Sequence, residues 1–308
     1  MPVPTLVIVG PTASGKTALA TALGRRHPVE VVSADSRQVR REMSIGTAAP
    51  TPEERAAVPH HLVGTIAPDA PWSLADFVDA AHAAIEDVRA RGGLPVVVGG
   101  TAQYVWALIE GWSVPAVPAD PEVRARLEEE ACRLGGDALH ARLGALDPAS
   151  AARIDARNVR RVIRALEINE VTGAPVPPLD RSPSRDADDD WRIFGLDWPR
   201  EALHARADAR VEAMYAAGLV DETRALLDRY APGLPALSSI GHAEAARVVR
   251  AEWTIEEAIA RTKIETHRLI RMQATWFRLD DDRITWLDAS DLEAAVEAVE
   301  AALPAPLR

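Results

Sequence analysis

Gly10-Pro11-Thr12-Ala13-Ser14-Gly15-Lys16-Thr17 is the stretch that decides the fold. It follows the apolar run Leu6-Val7-Ile8-Val9 and leads into an alanine- and leucine-rich segment, so it joins a buried strand to a helix. In that setting the G-x4-G-K-T spacing makes a phosphate-binding loop. Its backbone N–H groups wrap phosphate oxygens, the Lys16 ammonium lies beside them, and the Thr17 hydroxyl is placed to ligate Mg²⁺. An eight-residue pattern can arise by chance, but the flanking strand and helix argue against that here. The loop does not identify its phosphate, and ATP is the default ligand at this point.

Working outward, Val29-Glu30-Val31-Val32-Ser33 is a β-branched run that predicts a second strand ending at Asp35. Ligands of open α/β sheets lie beyond the carboxyl ends of the strands, so Asp35 should face the same crevice as the loop. It is a candidate general base or metal partner, or else a turn aspartate. Leu94-Pro95-Val96-Val97-Val98 predicts a buried parallel strand running into Gly99-Gly100-Thr101. Thr101 is a second site candidate, or an ordinary helix N-cap. The stretch containing Ile45-Gly46-Thr47 and Pro59-His60-His61 reads as a loop, and adjacent histidines without further ligands suit surface or supporting roles better than a metal centre.

The alternation of strands and helices predicts an α/β fold, a P-loop NTPase-like parallel sheet flanked by helices, over residues 1–111 and 191–308. A capping box at Ser73 opens a core-facing helix through Leu74, Phe77, Val78, Ala81, Ile85 and Val88, stopped by Gly92-Gly93. From 112 to 190 the alternation stops, and an inserted all-helical domain is expected. Pro115 and Pro118 introduce it, Asp120-Pro121 starts a first helix, further helices span 137–146, 148–154 and 158–171, and a Pro- and Asp-rich linker from Ala174 to Asp190 leaves it. The α/β pattern resumes with a strand at Arg192–Asp197. Helices at 201–217 and 221–230 follow, then a long helix from a capping box at Thr254, a strand at 283–287 and a helix at 292–303.

The formal net charge of −11 argues against coating a polyanion over the whole surface. A local basic face is another matter: Arg153, Arg157, Arg160, Arg161 and Arg164 crowd twelve residues of the insertion. Both a solvated face and phosphate-backbone contact fit that cluster. No apolar run approaches the roughly 20 residues of a membrane span, and the first residues carry no leader pattern. With one cysteine, Cys132, expected to pack within a helix, a reducing cytoplasm is the expectation; a monomer is expected as well.

Taken in order, the motifs resemble the tRNA isopentenyltransferase (dimethylallyltransferase) family from Val7 to about Arg278. The phosphate loop is followed by Asp35-Ser36-Arg37-Gln38-Val39, Ile45-Gly46-Thr47-Ala48, Pro59-His60-His61-Leu62 and Val98-Gly99-Gly100-Thr101. Arg153-Ile154, Asn158, Arg160, Arg161, Ala165-Leu166-Glu167 and Thr172-Gly173 match the inserted domain. Gly218-Leu219-Val220-Asp221-Glu222, Ser239-Ile240-Gly241 and Gln273-Ala274-Thr275-Trp276-Phe277-Arg278 match the C-terminal part. The sequence departs from the usual pattern at Arg40, Ala49, Ala102, Gln103, His242, His267, Arg271 and Met272.

The resemblance implies transfer of a dimethylallyl group from dimethylallyl diphosphate to N6 of the adenosine next to the anticodon on its 3′ side, with Mg²⁺ as cofactor. Residues Gly10 to Thr17 would then hold the diphosphate, with Mg²⁺ on Thr17 and Arg206 nearby. Asp35 would be the base, with Thr101 positioning substrate groups. Asp35, Ser36, Arg37, Gln38 and Thr101 would meet the adenine of the anticodon stem-loop. Arg124, Asn158, Val159, Arg160, Arg161 and Val162 would contact the tRNA backbone. The rival readings are a P-loop small-molecule or nucleotide kinase and an adenylate isopentenyltransferase.

Overall fold

The structure, a computed structural model, describes residues 3–112, 117, 119–177, 190–231 and 233–304. Pro115, Pro118 and most of the expected exit linker lie outside them. The chain divides into one unit of residues 1–110 and 183–308 and a second of residues 111–182.

In chain order the first unit begins with β1 (Thr5–Val9), α1 (Lys16–Gly24), β2 (Val29–Ser33), α2 (Pro52–Ala57), β3 (His60–His61), α3 (Leu74–Ala90), β4 (Leu94–Gly99) and α4 (Ala102–Ile109). The second unit holds α5 (Pro121–Leu134), α6 (Gly136–Leu146), α7 (Pro148–Arg153) and α8 (Val159–Thr172). The first unit resumes with β5 (Trp191–Asp197), α9 (Arg200–Ala216), α10 (Leu219–Arg229), a 3₁₀ turn (Pro235–Ser238), α11 (His242–Val249), α12 (Ile255–Trp276), β6 (Ile284–Asp288) and α13 (Leu292–Ala301).

Among the described residues all six strands form one parallel sheet in the order β3-β2-β4-β1-β5-β6, the expected α/β class. Leu6, Val7, Ile8 and Val9 are wholly buried in the middle of it, as a parallel strand covered on both faces requires. Leu6 and Ile8 share one core cluster with Leu19 and Leu23 of α1 and Val296 and Val299 of α13. Truncating a side chain such as Ile8 there would cost ~2–5 kcal/mol in lost burial and cavity.

Register decides what meets at the sheet's edge. Ile8 pairs with Val98, and Val98 with Ser33, so β1, β4 and β2 end level with one another. The phosphate loop, the Asp35 turn and Gly100-Thr101 therefore leave the sheet side by side.

In the second unit, Leu127, Leu139, Leu143, Val162 and Leu166 are completely buried where α5, α6 and α8 meet. The buried Glu167 carboxylate accepts from the Asp120 N–H, Arg124 and Arg164, each at 2.8 Å, which ties α8 to the start of α5.

The stretch from Ile45 to His61 is more ordered than a plain loop. Thr51-Pro52-Glu53-Glu54 closes a capping box with proline in the first turn, enough to start the six-residue α2. His60 and His61 form β3 by pairing with only two residues of β2, too short to leave a periodic signal. His61 Nε2 meets the Glu30 carboxylate at 2.7 Å, and His60 Nδ1 meets the Val58 carbonyl at 2.7 Å. Cys132 is exposed on α5 rather than packed.

Candidate active site

The phosphate loop has the backbone that its function needs. Gly10 and Gly15 adopt φ of 144° and 97°, where a side chain would be strained, and a Cβ on Gly10 would sit 3.0 Å from Ser14 Oγ. Ala13 also has positive φ, 66°, a conformation that costs a non-glycine residue about 1 kcal/mol or more. Gly15 is the N-cap of α1 and has no side chain to cap it, so the first amides of that helix point at the loop's interior.

The strained loop is tied from outside by residues far along the chain. The Thr12 N–H donates to Gln273 Oε1 at 2.8 Å, and Gln273 Nε2 donates to the Gly100 carbonyl at 3.0 Å. Trp198 Nε1 donates to the Ser14 carbonyl at 2.9 Å. Arg206 Nε donates to the Ala13 carbonyl at 3.1 Å while its guanidinium lies 4.4 Å over the Trp198 ring. Arg210, one helical turn further on, hydrogen-bonds Thr12 Oγ1. Gln273, Trp198 and Arg210 were not among the expected site residues. Arg210 left a signal in its four-residue spacing from Arg206 on one helix face, and Gln273 in its place at the head of the Gln273–Arg278 motif, whereas Trp198 left none.

Lys16 Nζ donates to the carbonyls of Gly10 and Pro11 at 3.0 and 2.8 Å, folded against its own loop. Burial, followed by the neighbouring Arg210 charge, pulls its pKa down to about 7, against the opposing pull of Asp35. Burial also lowers the pKa of Arg210, again opposed by Asp35. Lys16, Arg210 and Asp35 thus act on one another. A phosphate anion among them would stabilise both cations in their charged forms.

Asp35 is both the turn residue and the cleft residue that its sequence position allowed. Its Oδ1 accepts from the Arg37 and Gln38 amides at 2.8 and 3.1 Å. Its Oδ2 makes no hydrogen bond among the described residues. Thr101 is the N-cap position of α4 but caps nothing with its side chain. Its Oγ1 instead accepts the Ser36 N–H at 3.1 Å, so it braces the Asp35 turn. The Gln38 amide donates to the carbonyls of Thr47 and Ala48 at 3.3 and 3.1 Å. Arg37 reaches the Pro235 carbonyl at 3.4 Å.

A cleft of about 860 Å³ is lined by Lys16, Thr17, Asp35, Gln38 and Arg206, while Ser36, Arg37 and Thr101 do not line it. One end is polar, formed by Thr12, Lys16, Thr17, Asp35, Arg206 and Arg210. Ala209, Ala213 and Met214 of α9, with Ala217 just past its end, continue one wall as an apolar stripe. Thr17 lines the polar end, and its hydroxyl makes no hydrogen bond among the described residues. That hydroxyl and the oxygens of a bound phosphate are hard donors of the kind Mg²⁺ prefers, and Mg²⁺ binds through few protein ligands.

The remaining expected residues lie in the second unit. Asn158 caps α8, its Oδ1 accepting the Arg161 N–H at 3.3 Å. Arg160 and Arg161 are exposed and make no side-chain hydrogen bond among the described residues. Val162 is wholly buried and Val159 packs against the same core, so their side chains face inward. Arg124 pairs with Glu167, Arg164 with Glu167, and Arg157 with Asp155. Part of the basic cluster is therefore engaged internally.

Three cations and a ring of amides opposite one carboxylate, at the level ends of a parallel sheet, define an enzyme of the P-loop-like class that handles a phosphorylated substrate. Family comparison narrows the class. The chain matches the IPP transferase family model over residues 38–280 and an isopentenyl transferase model over residues 4–59. The chain belongs to the IPP transferase family. It is 50% identical to the tRNA dimethylallyltransferase of Roseiflexus castenholzii, over 96% of this chain and 97% of that protein. It is 48% identical to that of Anaeromyxobacter dehalogenans over 96% and 98%.

Among solved structures, the tRNA isopentenylpyrophosphate transferase of Bacillus halodurans matches with a TM-score of 0.69 at 38% identity, covering 96% of this chain and 94% of that one. A eukaryotic dimethylallyltransferase, captured acting on tRNA, matches with a TM-score of 0.78 at 25% identity over 96% and 78%.

Proposed function

We propose that the protein transfers a dimethylallyl group from dimethylallyl diphosphate to N6 of the adenosine 3′-adjacent to the anticodon in tRNA, releasing diphosphate. The observation that carries this reading is the juxtaposition of Lys16, Arg210 and Asp35 in one cleft whose wall turns apolar along α9. A diphosphate with a hydrocarbon tail suits a cleft that has cations at one end and an apolar wall beyond them.

The chain's own groups account for the chemistry. The loop amides, Lys16, Arg206 and Arg210 hold the diphosphate and stabilise the charge that grows on it as the allylic C–O bond breaks. Asp35 Oδ2 accepts the N6 proton as the N–C bond forms, and the Arg37 and Gln38 amides keep Oδ1 still. Mg²⁺, held by Thr17 and the diphosphate oxygens, would supply further charge neutralisation when bound. To bring N6 to the electrophile, the adenine leaves the stacked anticodon loop, with Ser36, Arg37, Gln38 and Thr101 around it. The exposed Arg160 and Arg161 suit RNA phosphates, and this favours tRNA over a free nucleotide as acceptor.

Labelled dimethylallyl diphosphate with Mg²⁺, offered unmodified tRNA or AMP, tests the reading. Label in tRNA is the expected result. Label in AMP alone would move the protein to the nucleotide enzymes, and ATP consumption without prenyl transfer would sink the proposal.

A further inference from the structure

Residues 44–50 form one wall of the cleft through Ser44, Ile45, Thr47, Ala48, Ala49 and Pro50, yet they belong to no helix or strand. The Thr47, Ala48 and Ala49 N–H groups turn back to the Met43, Ile45 and Ser44 carbonyls, which leaves the Ile45 and Gly46 N–H groups to be taken up from outside the turn. Glu222, on α10, takes them up. Its Oε2 accepts the Ile45 N–H at 2.8 Å, and its Oε1 accepts the Gly46 N–H at 2.9 Å.

Glu222 is itself held. His242, with no exposed surface, meets Glu222 Oε1 through Nε2 at 3.0 Å and Ser239 Oγ through Nδ1 at 3.1 Å. The imidazole lies so close under Gly46 that a Cβ there would sit 2.1 Å from its Cε1. On the cleft side the same segment turns the Thr47 and Ala48 carbonyls to the Gln38 amide. Gln38 in turn gives its backbone N–H to Asp35 Oδ1.

We propose that Glu222, backed by His242, is a positioning residue for the acceptor half of the reaction. It fixes the Ile45-Gly46 turn, and through Gln38 that turn fixes the carboxylate of Asp35. The inference rests on the reading of Asp35 as the base. Its reach is selective, because the phosphate loop is tied by a separate set of hydrogen bonds from Trp198, Arg206, Arg210 and Gln273. Loosening the strut should disturb the acceptor side and leave diphosphate binding alone.

Glu222→Gln is the sharp variant, since it keeps the shape but sets an NH₂ group against a backbone N–H. Steady-state transfer to tRNA and equilibrium binding of dimethylallyl diphosphate are measured on the same preparations, with a thermal melt of each. The expected result is a kcat lower by about 10- to 100-fold, the cost of misplacing a reacting group by about 1 Å, with the diphosphate Kd within about twofold of wild type. An unchanged kcat overturns the proposal. So does a parallel loss of kcat, diphosphate binding and thermal stability, which would make the strut only structural. If E222Q does not fold, H242Q, which keeps a donor toward Glu222, is judged by the same outcomes. Wild-type protein that transfers no label to tRNA would sink the proposed reaction itself, whereas an active wild type with an unaffected E222Q sinks only the strut.

Discussion

Gln273 Oε1 accepts the Thr12 N–H at 2.8 Å, joining residues 261 positions apart in the chain. Through its Nε2 the same side chain holds the Gly100 carbonyl, so one buried amide spans the ends of β1 and β4. Gln273→Leu keeps the bulk and removes both bonds. It should cost about 1–3 kcal/mol of stability, the usual penalty for leaving buried polar groups unpaired. Diphosphate affinity should weaken by roughly tenfold as the strained loop relaxes. Urea unfolding and diphosphate titration check the two effects; affinity held at the wild-type value would show that the loop needs no such tie.

Lys16 couples stability to pH in a definite direction. Its pKa is about 7 in the folded protein against an ordinary value of 10.5, so between those limits the unfolded chain binds more protons. Its contribution to stability therefore rises with pH across that window, and the full burden of the buried charge is present below pH 7. Lys16→Met should be more stable than wild type at pH 6, with the margin shrinking toward pH 10, and it should bind diphosphate poorly. Wild-type affinity for diphosphate should fall from pH 6 to pH 8 as the ammonium is lost. Unfolding measured at three pH values tests the first claim, and a margin that does not change with pH would contradict it.

Asp35→Asn separates charge from geometry, because Asn keeps an oxygen for the Arg37 and Gln38 amides. A lost general base should lower kcat by about 10²–10⁴-fold. Diphosphate binding should persist, since the cations of the loop are untouched. Equal losses of turnover and diphosphate affinity would point to a binding role for Asp35 instead.

In the second unit, Arg160 and Arg161 differ from Arg124 in what they touch. Neutralising the two exposed arginines together should weaken tRNA binding and flatten its dependence on salt by about 0.7 for each RNA phosphate no longer neutralised. The fold should melt as before. Arg124→Ala should instead reduce stability, by about 1.5–3 kcal/mol, because it strips a charged hydrogen bond from the buried Glu167 carboxylate. Titrations of tRNA at three salt concentrations, paired with thermal melts, distinguish the two effects. A salt slope unchanged in the double variant would leave Arg160 and Arg161 as a solvated face.

The phosphate loop, the strand ends bearing Asp35 and Thr101, and the inserted helices were all legible in the sequence by itself. Each is written in neighbouring residues, where glycine placement, apolar runs and capping pairs act over a few positions. Short elements held by few bonds escaped that reading. Two-residue β3 and six-residue α2 carry no periodicity long enough to detect.

What only the tertiary structure decided is how those local pieces are aimed. The order of the strands sets β4 between β1 and β2, so the three chemical ends meet. Trp198, Arg210, Glu222 and Gln273 then reach back across the chain to residues 12–14 and 45–46. A hydrogen bond depends on a separation of about 3 Å and a direction. Neither is encoded in residues 177 or 261 positions apart until the sheet has brought them together.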